Sequence, residues 1–238
     1  MDHISIVLVR PQQPGNIGMA ARAMANHGLS RLVLVQPQAF DADRARWMAP
    51  KAHHIIDNAR FCGSIQEAVH GAVRVVATSA RPRRWDRPVW GPVEATEHAA
   101  AGHTPTAFVF GPEDAGLSTE DLMAAHGIMS FPTETVRSLN LAQAVTATCA
   151  HLQSATLRGE PIEAAVEHDA APAELNEAVV RDTVELLRGS GYLRGRSEIK
   201  VHGTLYRLMG RARPSRAEVD ILRGMTKQLM WWFKERSQ

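Results

Sequence analysis

The chain has 238 residues, 45% of them hydrophobic and 22% charged, with a formal net charge of +2. Those values suit one large domain, or a medium domain with a small appendage, of ordinary soluble character. No apolar run approaches the roughly 20 residues of a membrane-spanning helix. The start, Met1-Asp2-His3-Ile4, lacks the basic flank and long apolar region of a secretion signal. With only Cys62 and Cys149 available, no disulfide framework is expected, and a reducing cytoplasm is the expected location.

The first predicted strand, Ile4–Val9, is short and rich in Ile and Val. It leads into Pro14-Gly15-Asn16-Ile17-Gly18, where a glycine turn before a helix exposes backbone N–H groups that can hold an anion. A plain strand-to-helix turn is the alternative. The helix predicted over Ile17–His27 stops at Gly28, the position expected just past a helix end. Arg22 interrupts its small apolar run one turn after Gly18, whose missing side chain would leave room for a group to approach the guanidinium. Further buried strands are predicted at Leu32–Val35, Val73–Thr78, Ala107–Phe110 and Ile128–Phe131. Strands alternating with helical stretches imply a mostly parallel sheet with helices on both faces. In such sheets ligands bind beyond the carboxyl ends of the strands, where each motif below falls.

Thr78-Ser79-Ala80 is a polar strand end, followed by a basic knot of Arg81, Arg83, Arg84 and Arg87 around Trp85 and Asp86. After the fourth strand, Phe110-Gly111-Pro112-Glu113-Asp114-Ala115-Gly116-Leu117 sets two acids between two glycines, so the loop bends sharply and brings backbone close to a ligand. Glu113 contacts that ligand or caps a helix beginning near Ser118. Ser138-Leu139-Asn140-Leu141-Ala142-Gln143-Ala144 places small polar groups at another helix start, where Ser138 or Asn140 serves as a cap or as part of a site. No zinc-type spacing, GxSxG elbow, Walker loop or Cys–His pair is present, and GxGxxG is missing, which removes a nucleotide-binding dehydrogenase from consideration.

A long helix is predicted over Leu141–Leu157, with Leu141, Val145, Thr148 and Leu152 on one stripe. Residues 159–173 read as a linker. A helix over Leu175–Arg188 follows, and another starts at Ser215, where Ser215 and Glu218 have the spacing of a capping box. Its stripe Leu222, Met225, Leu229 and Trp232 reads as core or as a partner-helix contact. Between these helices Arg194, Arg196, Lys200, Arg207, Arg211, Arg213 and Arg216 face the single acid Glu198. That concentration suits a surface for a polyanion; a salt-bridged, solvated face is the alternative.

In their order and spacing PGNIGMAARAM, FGPEDAGL and SLNLAQAV resemble the three signature motifs of SPOUT-class RNA 2′-O-ribose methyltransferases. TSARPRRW and the stretch Leu208–Gly224 are similar to the tRNA (cytidine/uridine-2′-O-)-methyltransferase TrmJ branch of that class, so the likeness covers nearly the whole chain. The resemblance implies an α/β fold with a C-terminal trefoil knot, a rare departure from ordinary topology, and a small α-helical extension. Residues 1–158 would be the methyltransferase domain and 174–238 a tRNA-binding and dimer extension. It implies a homodimer, S-adenosylmethionine as methyl donor without a metal, and tRNA as partner, methylated at cytidine or uridine 32 of the anticodon loop. Thr78, Ser79, Ala80, Gly111, Phe131, Ser138 and Leu139 match donor contacts, while Arg22, Asn16, Ser138, Asn140 and Glu113 match catalytic positions. Arg81, Arg83, Arg84, Arg211 and Arg213 are the expected RNA contacts. Because a guanidinium stays charged at neutral pH, Arg22 is expected to position phosphate and developing alkoxide charge, with Asn16 and Ser138 orienting the hydroxyl. Two departures stand out: Pro112 where the family often has arginine, and a short Thr133–Arg137 stretch without the usual tyrosine. Rival readings are the same core acting on another tRNA site or on ribosomal RNA, and an RNA-binding relative without catalysis.

Overall fold

Six consecutive buried residues, Ile4–Val9, form β1 in the interior of a parallel sheet. A computed structural model describes residues 1–80, 87–100, 102–136, 138–158 and 170–236. The other strands among the described residues are β2 (Arg31–Val35), β3 (Arg60–Cys62), β4 (Arg74–Thr78), β5 (Val89–Trp90), β6 (Thr106–Phe110) and β7 (Gly127–Met129). Their order is β3-β2-β1-β6-β4-β7-β5, every pairing parallel. β1 and β6 are buried along their whole length, as strands covered on both faces must be, and this explains why their sequences are apolar except for Ser5 and Thr106.

The chain divides into two units, Met1–Ala165 and Val166–Gln238. In the first, α1 (Pro14–Asn26) packs on α6 (Leu141–Arg158), which also packs on α5 (Pro92–Ala100). Shorter helices α2 (Ala42–Trp47), α3 (His53–Asp57) and α4 (Ile65–Ala68) fill the connections. Proline at the first turn suits α1, because its missing N–H would have no partner there. The helix ends as expected: Gly28 takes φ +73 and Leu29 N–H closes on the Met24 carbonyl at 2.9 Å. Ile17, Ala20, Ala21 and Met24 are buried against Val145, Cys149 and Leu152 in one core. Burial pushes the Cys149 thiol up to about 12, so it is an inert core residue.

The second unit comprises α7 (Ala173–Gly189), α8 (Glu198–Ala212) and α9 (Arg216–Arg236). Its core gathers Val180, Val184, Tyr206, Met209 and Val219. The capping box forms: Ser215 Oγ accepts from Glu218 N–H at 3.2 Å, and Glu218 Oε2 accepts from Ser215 N–H at 2.7 Å. The basic stretch contains α8, whose few buried positions, Gly203, Tyr206 and Met209, are too sparse to reveal a helix by period. Of the two readings of the stripe Leu222, Met225, Leu229 and Trp232, core is removed, since these residues are 38–58% exposed and α9 instead buries Val219 and Thr226; the partner-helix contact is left. Among the described residues no helix is long and apolar enough to cross a membrane.

Candidate active site

Because every pairing is parallel, the carboxyl ends of β4, β6 and β7 lie together, and with the start of α6 they surround a cavity of about 300 Å³. The end of β4 contributes Thr78, and the residues after it Ser79 and Ala80; the loop after β6 contributes Gly111 to Leu117. Phe131 and Thr133 follow β7, and Ser138, Leu139, Leu141 and Ala144 come from the entry to α6. All seven residues matched to donor contacts are therefore on its wall. Phe131 was expected inside a strand, but β7 stops at Met129, where Ser79 N–H takes the carbonyl at 3.1 Å.

The β6 loop is a tight ring closed by Gly116 N–H on the Pro112 carbonyl at 2.9 Å. A Cβ on Gly111 would lie 2.3 Å from Leu117 N, and Gly116 takes φ +64. The close approach that requires glycine at 111 is thus backbone to backbone. Gly18 has a similar explanation. A Cβ there would lie 2.1 Å from the Ala45 carbonyl oxygen and 2.8 Å from Met48 Cβ, so its bare face seats α2 and opens no path to Arg22.

Glu113 reaches the first motif and does not cap the turn at Ser118. Its Oε2 accepts from Gln12 N–H at 3.0 Å; its Oε1 accepts from Gln13 N–H at 3.3 Å and from Asn16 Nδ2 at 2.7 Å. The anion held at the start of α1 is this carboxylate. Asn16 is buried, and its Oδ1 accepts from Asn140 Nδ2 at 3.2 Å. Asn140 Oδ1 then caps α6, accepting from Ala142 N–H at 2.9 Å, and Gln143 Oε1 returns the bond to Asn140 N–H at 3.3 Å. One hydrogen-bonded chain, Glu113–Asn16–Asn140, thus ties all three motifs together. Each end of the Asn16 carboxamide makes one of these bonds, which leaves one N–H and one oxygen lone pair for a further partner.

Asn16→Asp tests that chain. It removes the donor to Glu113 and sets two carboxylates against each other. The expected loss at neutral pH is about 3 kcal/mol, read as a Tm lower by about 10 °C. The loss should shrink near pH 4, where the added carboxyl gains a proton.

Arg22 stands apart. It is exposed on α1, is not on the cavity wall, and has no hydrogen bond or ion pair among the described residues. The wall carries Glu113 and Asp114 but no lysine or arginine among the described residues. The Gln12 side chain, hydrogen-bonded to Asp114, holds that carboxyl below its ordinary range. No sequence motif marks Arg10, Gln12 or Asp121; Arg10 does carry a signal, as a charge directly after the apolar run Ile6–Val9.

Arg81, Arg83 and Arg84 lie outside the described residues. Arg87 leaves the basic knot, because it is buried and donates to the carbonyls of Leu122 and Ala125. Arg211 is exposed near the end of α8, and Arg213 caps that helix with φ +46. Arg196 lies over the Tyr192 ring at 4.3 Å, and Glu198 pairs with Arg188.

A family model described as the SpoU rRNA Methylase family matches residues 3–150, more than half of the chain, which belongs to that family. The resemblance read from the three motifs is borne out. A second model, tRNA methyltransferase TrmJ, C-terminal domain, matches residues 182–238. The tRNA (cytidine/uridine/adenosine-2′-O-)-methyltransferase TrmJ of Pseudomonas aeruginosa is 38% identical, covering 94% of this chain and 93% of that one. TrmJ from Z. mobilis ZM4 has a solved structure with TM-score 0.84 and 33% identity, covering 95% of this chain and 98% of that one. A structure described by the 2-OH methylation of C/U34 on tRNA matches with TM-score 0.52 and 29% identity, covering 66% of this chain and 97% of that one.

Proposed function

We propose that this chain transfers the methyl group of S-adenosylmethionine to a ribose 2′-hydroxyl of tRNA, at cytidine or uridine 32 of the anticodon loop. The observation that carries this reading is the cavity wall. It combines Phe110, Phe131, Leu139 and Leu141, for an adenine and thioether, with Ser79, Thr133 and Ser138 hydroxyls and two carboxylates. A sulfonium and an ammonium suit such a wall. The donor supplies an electrophilic methyl, and the names of the relatives support a tRNA ribose as acceptor.

The residues divide the work. Ser138 on the wall orients the hydroxyl, and Glu113, Asn16 and Asn140 hold the wall in shape. Arg22 fixes the target phosphate and offsets developing alkoxide charge. As the family resemblance implies, a second copy of the chain supplies Arg22, making a homodimer; the exposure of Arg22 on α1, off the wall, fits that arrangement. The trefoil knot belongs to the same reading: β6 and β7 flank β4, and α6 returns to pack on α1. Residues 174–238 serve as the RNA-binding extension, and a tRNA substrate places the reaction in the cytoplasm.

Methyl transfer to full-length tRNA transcripts, each with one 2′-deoxy substitution, tests the target. Loss of transfer only at the transcript lacking the 32 hydroxyl supports the reading. Loss only at position 34 assigns the chain to the other activity named among its structural neighbours. Replacing Arg211 with Gln and Arg213 with Asn, which tolerates the left-handed backbone, should weaken tRNA binding. The slope of log affinity against log salt should fall by about 1 to 2. An unchanged slope means these arginines make no phosphate contact.

A further inference from the structure

We propose that Arg10 and Asp121 form a clamp that positions the donor loop, so that donor affinity depends on an ion pair outside the cavity. The inference rests on the donor reading above. Arg10 follows β1 directly and takes φ +48, a left-handed conformation costly for a residue with a side chain. Its N–H extends the sheet by one bond to the Val35 carbonyl at 2.7 Å, and its guanidinium pairs with the Asp121 carboxylate. Strained backbone persists where surrounding contacts over-determine it, and here the ladder bond and the ion pair do so.

Asp121 carries the link onward. Its Oδ2 also accepts from Ser118 N–H at 2.8 Å, and Ser118 Oγ accepts from Asp121 N–H at 3.0 Å. Ser118 is bonded to Leu117, whose nitrogen is the atom crowding Gly111 on the cavity wall. The Asp121 side chain is only 10% exposed, which shelters the pair from screening by solvent. Burial alone would push its carboxyl up, yet Arg10 and Ser118 hold it below the ordinary range. Glu113 pins the other end of the same loop to Gln12 and Gln13. Arg10 and Asp121 are therefore positioning residues that act through the loop.

Calorimetry of S-adenosylmethionine binding to the full chain without RNA tests the clamp. Arg10→Ala and Asp121→Asn should each raise the donor Kd by about tenfold, with the double variant no weaker than either single one. Asparagine at 121 still accepts from Ser118, so only the charge pair is lost. In turnover the donor KM should rise while kcat and the tRNA KM stay put, and Arg10→Lys should recover part of the affinity. Amide exchange at Gly116 and Leu117 should quicken in Arg10→Ala and Asp121→Asn. Unchanged donor Kd in both single variants, or effects that multiply in the double variant, would overturn the clamp. If the wild-type chain binds no donor, the functional reading fails, and amide exchange alone decides the clamp.

Discussion

Replacing Arg22 with alanine is expected to lower methyl transfer by about 10²- to 10³-fold while donor Kd and Tm stay at their wild-type values. Arg22 makes no hydrogen bond or ion pair among the described residues and is exposed on α1, so removing it deletes no such bond among them. Surface changes of that kind alter stability by about 0.5 kcal/mol or less. The whole effect should therefore fall on the reaction. Arg22→Lys keeps a charge but loses the planar fork that grips phosphate through two bonds, so it should recover only a minor part of the rate. Mixing chains separates a shared site from a self-contained one. Arg22→Ala and Ser138→Ala chains, each inactive alone, should recover about a quarter of wild-type activity when combined as a C2 dimer, since half the dimers are hybrids with one intact site. No recovery would place Arg22 in its own chain's site.

Gly111→Ala should raise the donor Kd by at least about 100-fold, because the new methyl displaces backbone, with a stability loss of about 2–4 kcal/mol. Its Cβ would stand 2.3 Å from Leu117 N and 2.4 Å from Gly116 C. Neither atom can swing aside as a side-chain end can; the ring closed by Gly116 and Pro112 has to open, and the wall opens with it. Gly15→Ala is the matched control. The nearest atom to a Cβ there is Met48 Cγ at 3.8 Å, so donor binding should be unchanged. Equal donor affinity in Gly111→Ala and wild type would show that the loop does not form the donor wall.

Strong local signals were legible in the sequence. β1 runs over Ile4–Val9 as expected, Gly28 ends α1 with positive φ, and Ser215 with Glu218 forms its capping box. Short elements were not legible: β3 and β5 have three and two residues, too few to show a period. α8 was hidden because basic and glycine positions dilute its buried face. At the site, the three motifs indicated which segments meet, since each follows a parallel strand. They could not indicate which partner each side chain takes. Glu113 has cap spacing toward Ser118 yet binds Gln12, Gln13 and Asn16, about a hundred residues away in sequence. Gly18 next to Arg22 read as open space because a sequence does not show that α2 fills it. The Arg10–Asp121 pair joins residues 111 positions apart, and only the tertiary fold brings them together.

Alkaline hydrolysis of tRNA methylated with labelled S-adenosylmethionine tests the central claim most directly. Alkali cleaves RNA through the 2′-oxygen, so a ribose methyl protects its own 3′-phosphodiester bond. Label is predicted in an alkali-resistant dinucleotide whose 5′ residue is cytidine or uridine 32, and to be absent with Arg22→Ala. Label released in a base-methylated mononucleotide, or retained at a ribose outside the anticodon loop, would contradict the account.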